Sequence, residues 1–369
     1  MSVGGGGVLV VQSARTSSGR VTVAEIAEGA GVSIATVSKV LNDRPDVAPE
    51  TRARVKALLA ERHYVPSTRT RNRARARLPQ RGGLIDIVFN DPGSPWAAEM
   101  IRGAEAAARA VRASIVVTAL EPGAGGHQRW LDDVVARGSL GVVLAVSTLS
   151  EEEQRAVGQV GLPAVLMDPV GDFESVLPAL GSGNFGGGVA ATQHLLDLGH
   201  RRIGMITGPM RYLSSQARLA GYRAALERAR IPAAPELVQQ GDFHYTSAAV
   251  GTGVLLALPD PPTAVFAAND EQALGVYATA QGHGLRVPED LSVVGFDDVP
   301  LSQWVLPPLT TVHQPIRELA QLATRSLLGL LDGEGLPLLG RIELPTTLVV
   351  RSSTAPPSRT GRAPVPPTS

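Results

Sequence analysis

The sequence predicts a small all-α unit of three helices, followed by an α/β core of two doubly wound, parallel-sheet halves. Three observations carry that prediction. Between Val21 and Arg62 the apolar residues recur at helical spacing, interrupted by a glycine and then by a proline-containing turn cluster. From Leu84 the texture changes to short β-branched runs separated by helical stretches, the alternation expected of parallel βα units. The charge divides at the same place: residues 1–81 hold fourteen Lys and Arg against six Asp and Glu, net +8, and the rest is net −8 beneath a formal total of zero.

At 369 residues with 44% apolar content, the chain can bury several cores, so two or three domains are expected. It has no cysteine, which excludes disulfides and thiolate metal sites and fits a reducing compartment, with the cytoplasm as the default. No apolar run approaches a membrane span, and the opening GGGGVLVVQSA lacks a basic n-region and a long h-region, so neither membrane insertion nor secretion is expected. Residues 1–20 are Gly- and Ser-rich without periodicity and are read as a disordered tail.

In the stretch VTVAEIAEGAGVSIATVSKVLN, Thr22 and Glu25 form a capping box, and Val23, Ile26, Ala27 and Ala30 share one helix face. Gly31 sits where a left-handed C′ residue ends the helix. Ser33 then caps a second helix, whose inner face is Val37, Val40 and Leu41 and whose outer face is Ile34, Ala35, Thr36, Ser38 and Lys39. Small Ala27 allows a close crossing, Gly31 makes the turn, and the two valines plug the junction, which is the spacing of a helix-turn-helix. Asn42 to Asp46 is a turn cluster, and Pro49 opens a third helix running to about Arg62, with Val55, Leu58 and Leu59 closing the core.

The next segment, Pro66 to Gly82, is an arginine-rich linker: from Arg62 to Arg81 there are seven arginines and no acid. Beyond it, strands are expected at Leu84–Phe89, Ser114–Thr118, Gly141–Ala145 and Ala164–Met167. A second set is expected at Ile203–Thr207, Leu237–Gln240, Ala264–Ala267 and Leu291–Gly295, with helices between. Two such halves with a cleft between their strand ends make a periplasmic-type binding architecture. Ligands in such sheets lie at the carboxyl ends of strands, where Trp96, Asp168, Asn269 and Asp297 stand. Carboxylate, amide, guanidinium and aromatic groups together suit vicinal hydroxyls and the C–H faces of a sugar. Alternatives remain for three residues: Trp96 as helix-start packing, Asp297 as a turn cap, and Arg218 in a surface ion pair with Glu227. Asp270 reads as the N-cap of its helix. There is no His and carboxylate cluster at metal spacing, no G-x-S-x-G and no phosphate loop, and Gly186-Gly187-Gly188 has no strand read before it, so neither a metal nor another cofactor is expected.

The stretch from Val21 to Val55 resembles the headpiece of the LacI/GalR family of bacterial regulators, and the likeness extends to Ser353. It implies an all-α three-helix helix-turn-helix headpiece followed by a periplasmic-binding-protein-like core of two doubly wound parallel-sheet subdomains. It also implies a homodimer that binds double-stranded operator DNA, most often as a repressor, under the control of a sugar or sugar-like effector. The alternative is a sugar-binding receptor without regulatory DNA function, which the basic headpiece argues against. The domain plan is a tail at 1–20, a DNA-binding domain at 21–65, a hinge at 66–82, a core at 83–354 and a disordered tail at 355–369. Within the core, the N-subdomain takes 83–180 and 315–341, the C-subdomain takes 181–314 and 342–354, and strands near Ile342–Val350 finish the second half.

DNA contacts fall to Ser33, Ile34, Ala35, Thr36, Ser38, Lys39 and Asn42. In the family the hinge carries a leucine that wedges into the minor groove; alignment on Tyr64 and Pro66 puts arginine at that position, Arg73. Arg69, Arg71, Arg73 and Arg75 are therefore expected to make phosphate and narrow-groove contacts. The resemblance marks Arg218, in QARLAGY, as the effector clamp and Asp297, in VGFDD, as the acceptor of effector hydroxyls. Trp96 and Phe243 match stacking positions, and Asp168, Asn269 and Gln314 match secondary polar contacts. At Gly183-Asn184 the family usually has Asp-Asn, so a carboxylate is missing there. His200 matches a structural position and is not read as catalytic; no catalytic residue is expected.

Overall fold

A computed structural model describes residues 23–41, 47–62, 82–120, 126–145, 151–168, 177–332 and 341–358. Thr22, Asn42 and the hinge arginines Arg69, Arg71, Arg73 and Arg75 lie outside the described residues. The chain divides into two compact units, residues 1–77 and 78–369.

The first unit holds α1 (Val23–Ala30), α2 (Ile34–Leu41) and α3 (Pro49–Glu61). Gly31 turns the chain at φ +62°, a conformation that costs glycine nothing. Ser33 Oγ accepts from the Thr36 backbone N–H at 3.1 Å and so starts α2. Ile26, Val37 and Val55 are completely buried, one from each helix, joined by Ala27, Ala30, Val40 and Val47. Burying these aliphatic side chains, at about 1.5–3 kcal/mol for each of the larger ones, holds three short helices that would not persist alone.

The second unit begins with β1 (Gly83–Phe89), α4 (Pro95–Ala110), β2 (Ala113–Ala119), α5 (Gly126–Arg137), β3 (Gly141–Ala145), α6 (Glu151–Gln159), β4 (Ala164–Met167) and β5 (Ala179–Ser182). After α7 (Asn184–Asp197) come β6 (Ile203–Thr207), α8 (Leu213–Arg228), β7 (Val238–Gln240) and α9 (Tyr245–Leu256). Then follow β8 (Ala264–Ala267), α10 (Asp270–Gly282), β9 (Ser292–Asp297), the short α11 (Leu301–Trp304) and β10 (Thr310–His313). The chain closes through α12 (Ile316–Asp332), β11 (Arg341–Leu344) and β12 (Thr347–Val349).

Among the described residues the strands form two sheets, ordered β11-β5-β4-β3-β1-β2 and β12-β10-β9-β8-β6-β7. The first is wholly parallel; in the second only β12 runs antiparallel, against β10. Central strands such as β4, β6 and β8 are buried along their whole length, because helices cover both faces. As expected, α12 returns to the first sheet, where Leu319, Ala320, Ala323 and Leu327 pack with Met100 and Ala104. Gly103 permits that crossing: a Cβ there would stand 2.3 Å from the Arg317 carbonyl oxygen.

Three expectations need correction. Of the strands expected to finish the second half, β11 instead extends the first sheet, pairing Arg341–Leu344 with Ala179–Ser182. The chain therefore crosses between the halves after Ser182 and after Leu344. The strand expected to be missing before the Gly186 run exists as β5; the glycines lie within α7, where Gly188 meets the Arg218 backbone of α8 at a distance no side chain would allow. The tail, read as disordered from residue 355, is ordered to 358: the Ala355 backbone bonds His200 Nε2 at 2.9 Å and Ser292 Oγ at 3.0 Å. His200 also touches Thr263 Oγ1 at 2.8 Å, so it is a buried structural tie, and burial lowers its pKa.

Candidate functional site

In the headpiece, α2 presents the outward face expected of it. Ile34 is 56% exposed, Ala35 and Lys39 are exposed, and Thr36 is half-buried with its hydroxyl 2.9 Å from Ser33 Oγ. The Ser38 side chain, like Asn42, lies outside what the structure describes.

In the core, Trp96, Asp168, Arg218, Phe243, Asn269 and Asp297 come together around one cavity of about 180 Å³ at the carboxyl ends of the strands. Arg218, on α8, lines it and is 4% exposed, which rules out the surface pair with Glu227. Its Nε donates to Asn184 Oδ1 at 2.8 Å and its Nη1 donates to the Ala268 carbonyl, with Asp297 Oδ1 3.7 Å away. The guanidinium lies 3.7 Å from the centre of the Phe296 ring. Burial pulls its pKa down, Asp297, Asp168 and Asp270 oppose the shift, and the group stays protonated.

Asp297 ends β9 at φ 109° and is 5% exposed. It does not serve merely as a turn cap: Gln314 Nε2 donates to its Oδ1. Burial raises its carboxyl pKa above the ordinary range, against the opposing pull of Arg218. Asp298, next to it at φ 58°, is gripped by Arg351 Nη2 at 2.6 Å and His313 Nδ1 at 3.1 Å. Asp168 (φ 41°) and Phe243 (φ 76°) are left-handed as well. Each such non-glycine residue costs on the order of 1–3 kcal/mol, and strain of this kind collects at binding sites. Gln314 does not line the cavity; buried behind Asp297, it orients that carboxylate.

Asp168 follows β4, with Oδ1 shut off from solvent and lacking a hydrogen-bond partner, 3.9 Å from Arg341 Nη2. Asn269 is the cap of α10, accepting from the Gln272 N–H at 2.8 Å and donating to the Phe243 carbonyl at 2.9 Å. Asp270, read as that cap, is instead buried against Thr311 Oγ1 and the Val299 N–H. Phe243 stacks on Tyr212, centroids 5.8 Å apart and planes within 7°, and rests on Gly208, whose missing side chain leaves the space. On the first-sheet side, Trp96 meets Phe89 edge-on at 6.4 Å, so it both packs on the core and lines the cavity.

Sequence reasoning missed Asn184 and Tyr212. Asn184 adjoins the position where the absent family carboxylate drew attention. Tyr212 precedes α8 with no periodicity to mark it, and only the fold brings it against Phe243. Among the described residues there is no group of His and acidic side chains placed to hold a metal ion, and no helix long and apolar enough to cross a membrane.

Residues 22–67 match the model for bacterial regulatory proteins of the lacI family, and residues 192–354 match the periplasmic binding protein-like domain. The HTH-type transcriptional repressor CytR of Escherichia coli (strain K12) is 34% identical over 337 residues, which span 90% of this chain and 96% of that protein. The chain belongs to the lacI family. Among solved structures, the transcriptional regulator CelR–cellobiose complex matches at TM-score 0.68 and 32% identity, covering 90% of this chain and all of the other. The lac repressor dimer bound to operator and the anti-inducer ONPF matches at TM-score 0.67 and 30% identity, covering 91% and 100%. This family member is a ligand-regulated DNA-binding repressor, with a helix-turn-helix headpiece and a two-subdomain α/β core.

Proposed function

We propose that a sugar or sugar-like polyol binds between Arg218 and Asp297 and, by drawing the two sheets together, resets the affinity of a homodimer for a pseudo-palindromic operator. The observation that carries the ligand reading is the meeting of one buried guanidinium with strained carboxylates inside a cavity walled by Tyr212, Phe243 and Trp96. Hydroxyl pairs suit bidentate polar partners, and the C–H faces of a pyranose or furanose suit aromatic rings. The related CelR structure holds cellobiose in a similar fold. Trp96 and Phe243 would stack on the ligand, Asp168 would take a hydroxyl, and Asn269 and Gln314 would act by fixing Phe243 and Asp297.

On the DNA side, Ile34 and Ala35 offer apolar contact to thymine methyls, with Ser33, Thr36, Ser38, Lys39 and Asn42 supplying polar contacts. Arg69, Arg71 and Arg73 contribute phosphate contacts. The protein acts in the cytoplasm, and the cleft binds its ligand without chemical turnover. Calorimetric titration of the full chain with pentoses, hexoses and disaccharides, each recovered afterwards, tests the cleft. Binding of at least one, returned unchanged and lost in Arg218→Ala, is the expected result; binding that survives Arg218→Ala would refute the assignment.

A further inference from the structure

The cleft has an unbalanced charge. Its lining contains Asp91, Asp168, Asp242, Glu271 and Asp297, against Arg218 and a histidine, His244, whose Nδ1 already faces Glu271 Oε1 at 3.2 Å. Behind that lining, Arg341 divides its guanidinium between Asp168 and Glu343, the latter at 3.0 Å. Arg211, outside the lining, is taken up by Tyr212, with Nη2 2.9 Å from the phenol oxygen. No lysine is available to the core, since the chain's lysines are Lys39 and Lys56. The segments 121–125, 146–150 and 169–176 contain no Lys or Arg either.

Helix N-termini ordinarily attract anions, and several open onto this cavity, but most are occupied by the protein's own side chains. Ser94 Oγ accepts from the Ala97 N–H at the start of α4, Asn269 caps α10, and Glu271 Oε1 accepts from the Tyr245 N–H at the start of α9. Among the described residues, only α8 begins on this wall without a capping side chain, and Arg218 lies on that helix. A phosphate or carboxylate placed beside Arg218 would thus sit among the several carboxylates of the lining.

We infer that the cleft selects an uncharged or amine-bearing polyhydroxy ligand and rejects the phosphorylated and uronic forms of the same sugar. This rests on the sugar reading above and narrows it. At protein-surface screening, each uncompensated carboxylate near a bound anion weakens it by roughly tenfold, so two acting together give about a hundredfold.

The test uses the full chain and matched sets built on ribose, glucose and cellobiose: the neutral sugar, a phosphate ester, a carboxylate derivative and an amine derivative. Dissociation constants are compared within each set. The expected result is a neutral binder whose amine form binds at least as well and whose anionic forms are weakened about a hundredfold, with Asp168→Asn narrowing that gap. An anionic form that binds as well as its parent, or alone, overturns the inference and leaves the sugar reading standing. If no member of any set binds, the sugar reading falls and the inference falls with it.

Discussion

Arg218→Lys separates the geometry of the clamp from its charge. Arginine here spends Nε on Asn184 Oδ1 at 2.8 Å and Nη1 on the Ala268 carbonyl, while its plane lies on Phe296 at 3.7 Å. Lysine retains the cation beside Asp297, so the buried carboxylate keeps its counter-charge and the fold is preserved. A single ammonium cannot hold both protein oxygens and still face a ligand in the guanidinium plane. Losing one charge-assisted hydrogen bond to the ligand costs about 2 kcal/mol, or roughly a thirtyfold fall in affinity. Arg218→Ala goes further, leaving Asp297 buried and unpaired, and should destabilise the core by about 3–5 kcal/mol. Calorimetry gives the affinities and thermal melts the stabilities. Arg218→Lys protein that binds the ligand within about threefold of the parent would refute the planar-clamp argument.

Asp297 also makes stability depend on pH. Its carboxyl pKa is raised in the folded chain, by burial first, so the folded state holds the proton more tightly than the unfolded chain. That contribution is complete below the ordinary carboxylate pKa of about 4 and is lost as pH rises through the raised value, so Asp297→Asn should lose less thermal stability than the parent between mildly acid and alkaline buffer. Ligand affinity should fall on acidification, because the hydroxyl acceptor is the ionised form. In the headpiece, Ile34→Ala should leave the melting temperature unchanged while weakening DNA binding. Val37→Ala, which removes two fully buried methyls, should destabilise the headpiece by roughly 2 kcal/mol, both measured by melts and anisotropy. Gly221→Ala would put a Cβ 2.3 Å from the Phe185 carbonyl oxygen, backbone that cannot swing aside, so separation of α7 and α8 and a loss of about 1–3 kcal/mol are expected.

Residues with a strong local signal were legible in the sequence. The Gly31 turn and the Ser33 cap announced α1 and α2, and short, largely apolar runs announced β1, β3, β4, β6 and β8. The clustering of Trp96, Asp168 and Asn269 with Asp297 followed once strand ends were located, because parallel strands of an open α/β sheet send their carboxyl ends to the same side, whereas Arg218 and Phe243 were marked only by the family resemblance. Nonlocal features were not legible. Strand β5, with the sequence ALGS, has too little β-branched character to stand out, and β11 pairs with it across more than a hundred and fifty residues of chain. Asn269 and Asp270 exchange roles for a similar reason: both are good caps, and only burial against Thr311 and Val299 decides which one turns inward. Asn184 and Tyr212 act through partners brought to them by other elements.

In the proposed function, occupation of this cleft and binding of DNA are coupled. Anisotropy titration of DNA flanking the chain's own gene, with and without a saturating cleft ligand, gives one coupling factor; calorimetric titration of the ligand, with and without that DNA, gives the other. The same factor is expected from both directions, as linkage requires, and no factor in Arg218→Ala. A ligand that fills the cleft while operator affinity stays unchanged would contradict that coupling.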